Sequence, residues 1–471
     1  MNPTPSSTDT LLDGTDARRI IDTALITGAD FAEIFLEDRA TRRLTFNDSR
    51  IKEAASGHSL GAGIRVIRGH QATYAYTSDL SPGALEQLAR DVAEASRAAD
   101  TPGSRKGEAL AGGQTGLDLP TRLWSGDQLD VPALFERIDR VTRGASERIS
   151  QVEVLLAESL QSVQIMNSDG LVAAEQRPLI RLTIQAIGAD GHEFQTGTES
   201  PGVTGDWRWL AGLDVDALAL SAARQALTML SAGHAPSGRM PVIIDSGFGG
   251  VILHEACGHL LETTSVAPGT SVLSGKMGEM VAHPSVSVID DGTIEGAWGS
   301  LAIDDEGMAT RRSLLIERGK LVSYIVDRLG GIRTGYAPTG SGRRESYRYA
   351  PTSRMRNTFI APGEGSVEEL VSEVKLGLYA ARMGGGSVSP GTGDFNFSVR
   401  EAYVIRDGRI AEPVRGATLI GNGAEILHKI DRVGADLQLA AGYCGSISGS
   451  LPVCVGQPPI RVSEIVVGGR A

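Results

Sequence analysis

The sequence predicts an α+β protein: a mixed α/β N-terminal domain, then a mainly antiparallel β C-terminal domain carrying a helix with two histidines. Three observations lead there. The chain has 471 residues, more than one hydrophobic core usually serves. In the first half, helical and strand-like periodicities alternate. Past residue 239 the pattern is mostly strand and turn, rich in glycine.

Residues 1–15 are polar, with Pro, Ser and Thr, and are expected to form a disordered tail. The N-terminal domain is placed at 16–232. Its first helix is ARRIIDTALITGA, whose apolar residues recur at helical spacing and stop at Gly28. Short strand-like runs follow from Asp30 to Gly57. GAGIRVIRGHQATYAYTS reads as a hairpin turning at RGHQ. SPGALEQLARDVAEASRAA is a helix with Ser81 as cap and proline in the first turn. The Gly-rich stretch from Asp100 to Gly116 reads as a loop, and VPALFERIDRVTRGASER as the next helix. Two strand pairs are expected between Val152 and Ser200, with Asp-Gly turns. DVDALALSAARQALTMLSAG closes this half as a helix. No fixed-period repeat stands out.

HAPSGR is the expected inter-domain linker, and the second domain is placed at 239–471. MPVIIDS is a short apolar strand, GFGG a turn, and a helix follows. LLIERGKLVSYIVD and AYVIRDGRIAEPV are hairpins, SVEELVSEVKLGLYAARM is a helix, and GGGSVSPGTGDFNF reads as a loop or plain linker.

Bulk properties exclude several functions. A net charge of −12 argues against a nucleic-acid-binding surface. No run of about 18 apolar residues is present, so no membrane span is expected. The N-terminus shows no basic start followed by an apolar stretch, so no secretory signal is read there. Three cysteines, Cys257, Cys444 and Cys454, do not make a disulfide framework in so long a chain. A reducing cytoplasm is the expected location.

The chemistry concentrates in LHEACGHLLE. His254 and His259 are candidate metal ligands, and Glu255 a candidate general base. Their spacing is five residues, however. In a straight α-helix that sets two side chains ~140° apart, too far to share an ion. A π-bulge or a helix break between 254 and 259 is therefore required, and Gly258 makes one cheaper. The alternative is an ordinary amphipathic helix that happens to carry two histidines. A third ligand is needed, and Glu262, Glu279, His283 and the thiols are open choices. Cys257 points away from the histidines if the segment is helical. Cys444 sits in a glycine-rich turn, and Cys454 reads as a small core residue. Arg343 and Arg344 are candidates to clamp a carboxylate or a peptide backbone, or else to join a salt-bridge network with DDEG at 304–307. The other histidines have no partner pattern, and the glycines lack a phosphate-binding spacing.

These blocks occur in an order that resembles a known family. HEACGHLLE, SVLSGKMGE, VIDDGT, GSLAIDDEG, APTGSGRRESYRYAPTSRMRNTFIAPG, GATLIGNG, GADLQL and GYCGSISGSLPVCVGQPPI are similar to the TldD/TldE (PmbA, modulator of DNA gyrase) zinc metallopeptidase family. Within it the chain resembles the catalytic, TldD-like subunit. The resemblance implies a zinc-dependent endopeptidase of unfolded or flexible peptides, with His254, His259 and Cys444 on the zinc. It also implies that Glu255 activates water on the metal. It implies a TldE-like partner subunit in a heterodimer, or a homodimer. The rival expectations are a non-catalytic regulatory partner, and a maturation factor that trims leader peptides by the same chemistry.

Overall fold

The computed structural model describes residues 11–97, 129–389 and 393–469. The expected tail at 1–10 and the Gly-rich loop at 100–116 lie outside these. Leu12 is already buried and Asp13 caps the first helix, so ordered structure begins before residue 16.

The N-terminal domain is one antiparallel sheet with helices on one face. Its first half runs α1 (Gly14–Ala24), β1 (Phe31–Asn47), β2 (Arg50–Arg68), β3 (Gln71–Thr77) and α2 (Pro82–Arg97). The second half repeats that order as α3 (Val131–Gly144), β4 (Ile149–Asn167), β5 (Val172–Asp190), β6 (Glu193–Glu199), then β7 (Gly202–Thr204), α4 (Trp207–Ala211) and α5 (Val215–Ser231). The strand order β3-β2-β1-β4-β5-β6 is symmetric about the β1–β4 pair. The sequence shows no period, yet the structure holds two helix–three strand–helix units side by side.

Two expectations need correction here. The strand runs are long: β1 has 17 residues and β2, β4 and β5 have 19 each. The two strand pairs after residue 152 are three strands, because β5 passes straight through Pro178, opposite Leu160. Alternation along β1 explains its placement. Ala32, Ile34 and Leu36 pack with α1 and α2, whereas Phe35 packs with Ile303 and Tyr347 of the second domain.

The chain enters the second domain through β8 (Gly233–His234) and β9 (Gly238–Ile244). The expected linker is thus folded in, with Ala235 fully buried. A 3₁₀ turn at Gly247–Gly250 leads to α6 (Val251–Ala256), and α7 is Thr263–Val266. Then come β10 (Val288–Asp291), β11 (Arg312–Glu317), β12 (Lys320–Leu321), α8 (Arg328–Thr334), β13 (Gly342–Arg343), β14 (Thr352–Ser353) and β15 (Asn357–Ile360). The remainder is α9 (Val367–Ser372), β16 (Leu376–Val388), β17 (Asp394–Arg406), β18 (Arg409–Arg415), β19 (Thr418–Asn422), α10 (Gly423–Lys429), β20 (Ile430–Val433), β21 (Gln438–Ser446), β22 (Gly449–Gln457) and β23 (Ile460–Gly468).

The larger sheet runs β16-β9-β23-β19-β17, and β16 also pairs with β17, so these strands close on themselves. The second sheet is β12-β11-β10-β15-β22-β21. Apart from β16–β9, β15–β22 and β18–β8, the pairings are antiparallel. The expected helix at 366–383 is only α9, held by a Ser366–Glu369 capping box. LGLYAARM is strand β16, and the glycine stretch after it is mostly the β16–β17 pair rather than a loop.

The domains meet through buried charge. The Arg65 guanidinium on β2 donates to Glu33 on β1 and to Glu306 of the second domain, each at 2.7 Å. Arg344 donates to Glu33 at 2.6 Å, and Arg177 bridges Glu175 and Asp305. Burial alone would push Arg65 down, but Glu33 and Glu306 hold it above its ordinary value.

Candidate metal centre

Strand β9 delivers the chain to α6, which sits hard against β22. A Cβ on Gly250 would lie 2.5 Å from the Gly456 nitrogen, so only glycine lets the helix start there. The helix ends at Ala256. Cys257 breaks it with φ −128° and ψ −43°, and Gly258–Leu261 continues as a 3₁₀ turn. This is the helix break that the five-residue spacing demanded, and no π turn is used. Its place differs from expectation: Gly258 keeps an ordinary negative φ. Glycine is needed there for space, since a Cβ would lie 2.1 Å from Met355 Sδ.

The break swings His259 back towards His254, and their ring centroids stand 5.3 Å apart at 83°. His259 Nε2 lies 3.3 Å from Cys444 Sγ. One donor atom from each of His254, His259 and Cys444 lies within 4.8 Å of the others. His254 is 2% exposed, and neither ring nitrogen has a hydrogen-bond partner among the described residues. Buried polar atoms are seldom left so, because an unmet partner costs about 1–3 kcal/mol. Imidazole nitrogen and cysteine thiolate are also both ordinary zinc ligands. On both counts these residues fit a metal ion.

The electrostatics agree. Burial pushes the Cys444 thiol up, but the two imidazoles beside it outweigh that and bring it down to about 5. Burial pushes His259 down, and Glu262 and Cys444 more than offset it, holding the imidazole well above its ordinary range. Burial drives Cys257 up to about 12 and also raises Cys454, so both stay neutral thiols. Cys444 lies on strand β21, paired with Leu451, and not in the expected turn.

Glu255 is half-buried, with Oε2 3.8 Å from His259 Nε2, the nitrogen that faces Cys444. Glu262 serves the other nitrogen: its Oε2 is 2.9 Å from His259 Nδ1. Glu262 therefore orients His259 and is not placed as a third ligand. Its Oε1 accepts from the Met355 amide at 3.2 Å. Glu279 is exposed, and His283 Nδ1 is 2.9 Å from Ser285 Oγ, so neither joins the group.

Comparison with known proteins decides the family. Residues 32–99, 122–230 and 237–469 match the models of domain 1, the central domain and the C-terminal domain of the PmbA/TldA metallopeptidases. The chain is 35% identical to a metalloprotease TldD homolog of Haemophilus influenzae, covering 100% of this chain and 98% of that one. It is 33% identical to a metalloprotease of Methanothermobacter thermautotrophicus, covering 93% and 96%. The chain belongs to the PmbA/TldD metallopeptidase family. A solved TldE structure from Thermococcus kodakarensis shares the fold, with a TM-score of 0.76 and 17% identity over 96% of this chain and 100% of that one.

The first two family models divide the N-terminal domain between its two repeated units, although the β1–β4 pair makes them one sheet. In this PmbA/TldD metallopeptidase Arg343 and Arg344 are not at the metal centre. Both are 2% exposed and held inside the protein. Arg344 joins the charge network with Glu33 and the Asp305 carbonyl, and Arg343 donates to the carbonyls of Met355 and Pro452. One residue was missed altogether. Arg354, fully buried, donates to the Cys444 carbonyl, to Ser448 Oγ and to the Gly449 carbonyl, with its Nε 3.9 Å from Glu262. It ties the strand of Cys444 to the carboxylate behind His259. No single-residue signal marks it; only its place in SRMRN near the other arginines does.

Outer carboxylates of this kind fix the tautomer of a ligand histidine. Glu262→Gln is expected to weaken metal binding about 10–100-fold without unfolding the protein. Competition against a chromophoric chelator measures it, and an unchanged affinity would remove Glu262 from that role.

Proposed function

We propose that the chain is a zinc-dependent endopeptidase of unfolded or flexible peptides, with His254, His259 and Cys444 as ligands and Glu255 as the general base. The observation that carries this reading is the convergence of three donor groups, one of them a buried histidine with neither ring nitrogen hydrogen-bonded among the described residues. Zinc supplies Lewis acidity, which polarises a peptide carbonyl and makes a water easier to deprotonate. Glu255, half-buried beside the donors, takes the proton from that water and returns it to the leaving amine. Glu262 and Arg354 hold His259 and the Cys444 strand in place.

Strand β21 supports the proposed substrate class. It is the outer strand of its sheet and carries Cys444 near its end. An extended peptide adding to that edge runs past the three donors and is read through its backbone rather than its side chains. Such a mode needs an unfolded segment. A TldE-like partner subunit or a second copy completes the proposed assembly, consistent with the TldE structure that shares this fold. No helix among the described residues is long and apolar enough to cross a membrane. The three free cysteines support a reducing cytoplasm as the proposed setting, and the net charge of −12 supports a reading with neither nucleic acid nor membrane as partner.

Elemental analysis of the purified protein tests the metal. About one zinc per chain is expected, lost in Cys444→Ala and kept in Cys454→Ala. The opposite pattern would assign the wrong thiol, and a fully active protein free of zinc would end the reading.

A further inference from the structure

The hairpin that carries Cys444 has a second face. Side chains alternate along a strand, so Tyr443 points away from the metal centre, where its ring meets Trp298 edge-on at 5.7 Å. On that side, between the two domains, lies a narrow cavity of about 50 Å³ walled by Arg39, Arg177, Arg343, Arg344, Tyr443 and Ser450, among others. It has room for a few waters or one small polar head, not for a whole ligand.

Its wall mixes the arginines with the carboxylates of Asp305 and Glu345. Arg177 has Glu175 and Asp305, and Arg344 has Glu33. Arg343 is 2% exposed and has no ion pair among the described residues, and its Nε has no hydrogen-bond partner there. Burial first brings its pKa down to about 10; the Asp305 carboxylate pulls it up, and Arg354, Arg356 and Arg177 together push it down again. Arg39 donates to Ser159 Oγ at 3.0 Å and likewise has no ion pair among the described residues. Asp305 on the wall is taken by Arg177 and by the Arg344 amide, and Glu345 Oε2 accepts from the Ser450 amide at 2.6 Å. Arg343, buried and with no carboxylate in ion-pair contact among the described residues, thus lines the cavity beside the partly exposed Arg39. A buried charge is stable only when compensated, and guanidinium matches carboxylate in shape and charge.

We propose that this cavity is a carboxylate subsite, which receives an acidic side chain or the terminal carboxylate of a peptide lying along β21. The inference rests on the peptidase reading for its ligand. A peptide strand paired to β21 sends alternate side chains to the two faces of the sheet. One set faces the zinc ligands, and the other faces Tyr443 and the arginines. Substrate recognition would then have a backbone component and one acidic anchor.

The test uses the full-length chain carrying Glu255→Gln, so that bound peptides are not cut. Peptides of one neutral sequence are compared in three forms: glutamate placed internally at each position in turn with an amidated end; glutamine with a free C-terminal acid; and glutamine with an amidated end. At least one acidic form should bind about 10-fold or more tightly than the neutral form, and which one does so identifies the source of the carboxylate. Adding Arg39→Gln, a change at a partly exposed residue, should shrink that ratio below about 3-fold, and Arg343→Gln should do the same. Equal binding of all forms, or a preference that survives both substitutions, overturns the subsite. The peptidase reading is separated by cleavage with the unsubstituted protein. Cleavage of the neutral peptide without any acid preference sinks the subsite alone. Acid-selective binding with no cleavage of any form keeps the subsite and sinks the peptidase.

Discussion

Glu255→Gln is expected to lower peptide hydrolysis about 10²–10⁴-fold while leaving metal content and fold intact. The side chain is half-buried and accepts no hydrogen bond among the described residues, and glutamine has nearly its shape. Its Oε2 is 3.8 Å from His259 Nε2, beside the donor atoms and outside the donor group. What the substitution removes is a proton acceptor. Turnover of a quenched peptide, together with zinc analysis of the same sample, makes the distinction. Hydrolysis at the unsubstituted rate would mean that another group takes the proton. Loss of zinc would make Glu255 a ligand.

The second large effect belongs to the domain interface. Arg65→Met should cost about 3–5 kcal/mol, because it strands Glu306 as a buried charge whose Oε1 has lost its guanidinium partner. Glu33 is less affected, since Arg344 still donates to it at 2.6 Å. Adding Glu306→Leu should recover more than half of the loss, as replacing a whole buried pair by apolar groups is often nearly neutral. Urea denaturation midpoints of the two variants measure this. If Arg65→Met changes stability by less than about 1 kcal/mol, the network does not hold the domains together.

Much of this was legible in local sequence. Helices α3 and α5 carry an aspartate cap, Asp130 and Asp214, and an apolar stripe, so their period stands out. Hairpins such as β17–β18 are marked by Asp407–Gly408, both at positive φ. The long strands were not legible, because residues 50–58 of β2 are exposed on both faces and show no alternation. The start of β16 reads as helix in LGLYAARM. Pairing with β9 and β17, which local propensity does not contain, makes it strand. Glu33, Glu37 and Arg65 would pass for surface residues in any sequence reading, yet all three are buried at the interface. At the metal centre, His254, Glu255 and His259 were visible as a motif and Cys444 through family resemblance. The roles of Glu262 and Arg354 depend on contacts across the fold.

The donor group also has a timetable. His259 and Cys444 are 185 residues apart in the chain. At a synthesis rate of ~5–20 residues per second, on the order of 10–40 s separate the making of these two donor residues on the ribosome. Throughout that interval the nascent chain holds both histidines, Glu255 and the thiol of Cys257, but not Cys444. Under the proposed ligand set, a chain made in this order lacks its third donor until β21 has been made and docked. On that reading, late completion of the ligand set would withhold cleavage from the proposed unfolded substrates until synthesis is nearly finished.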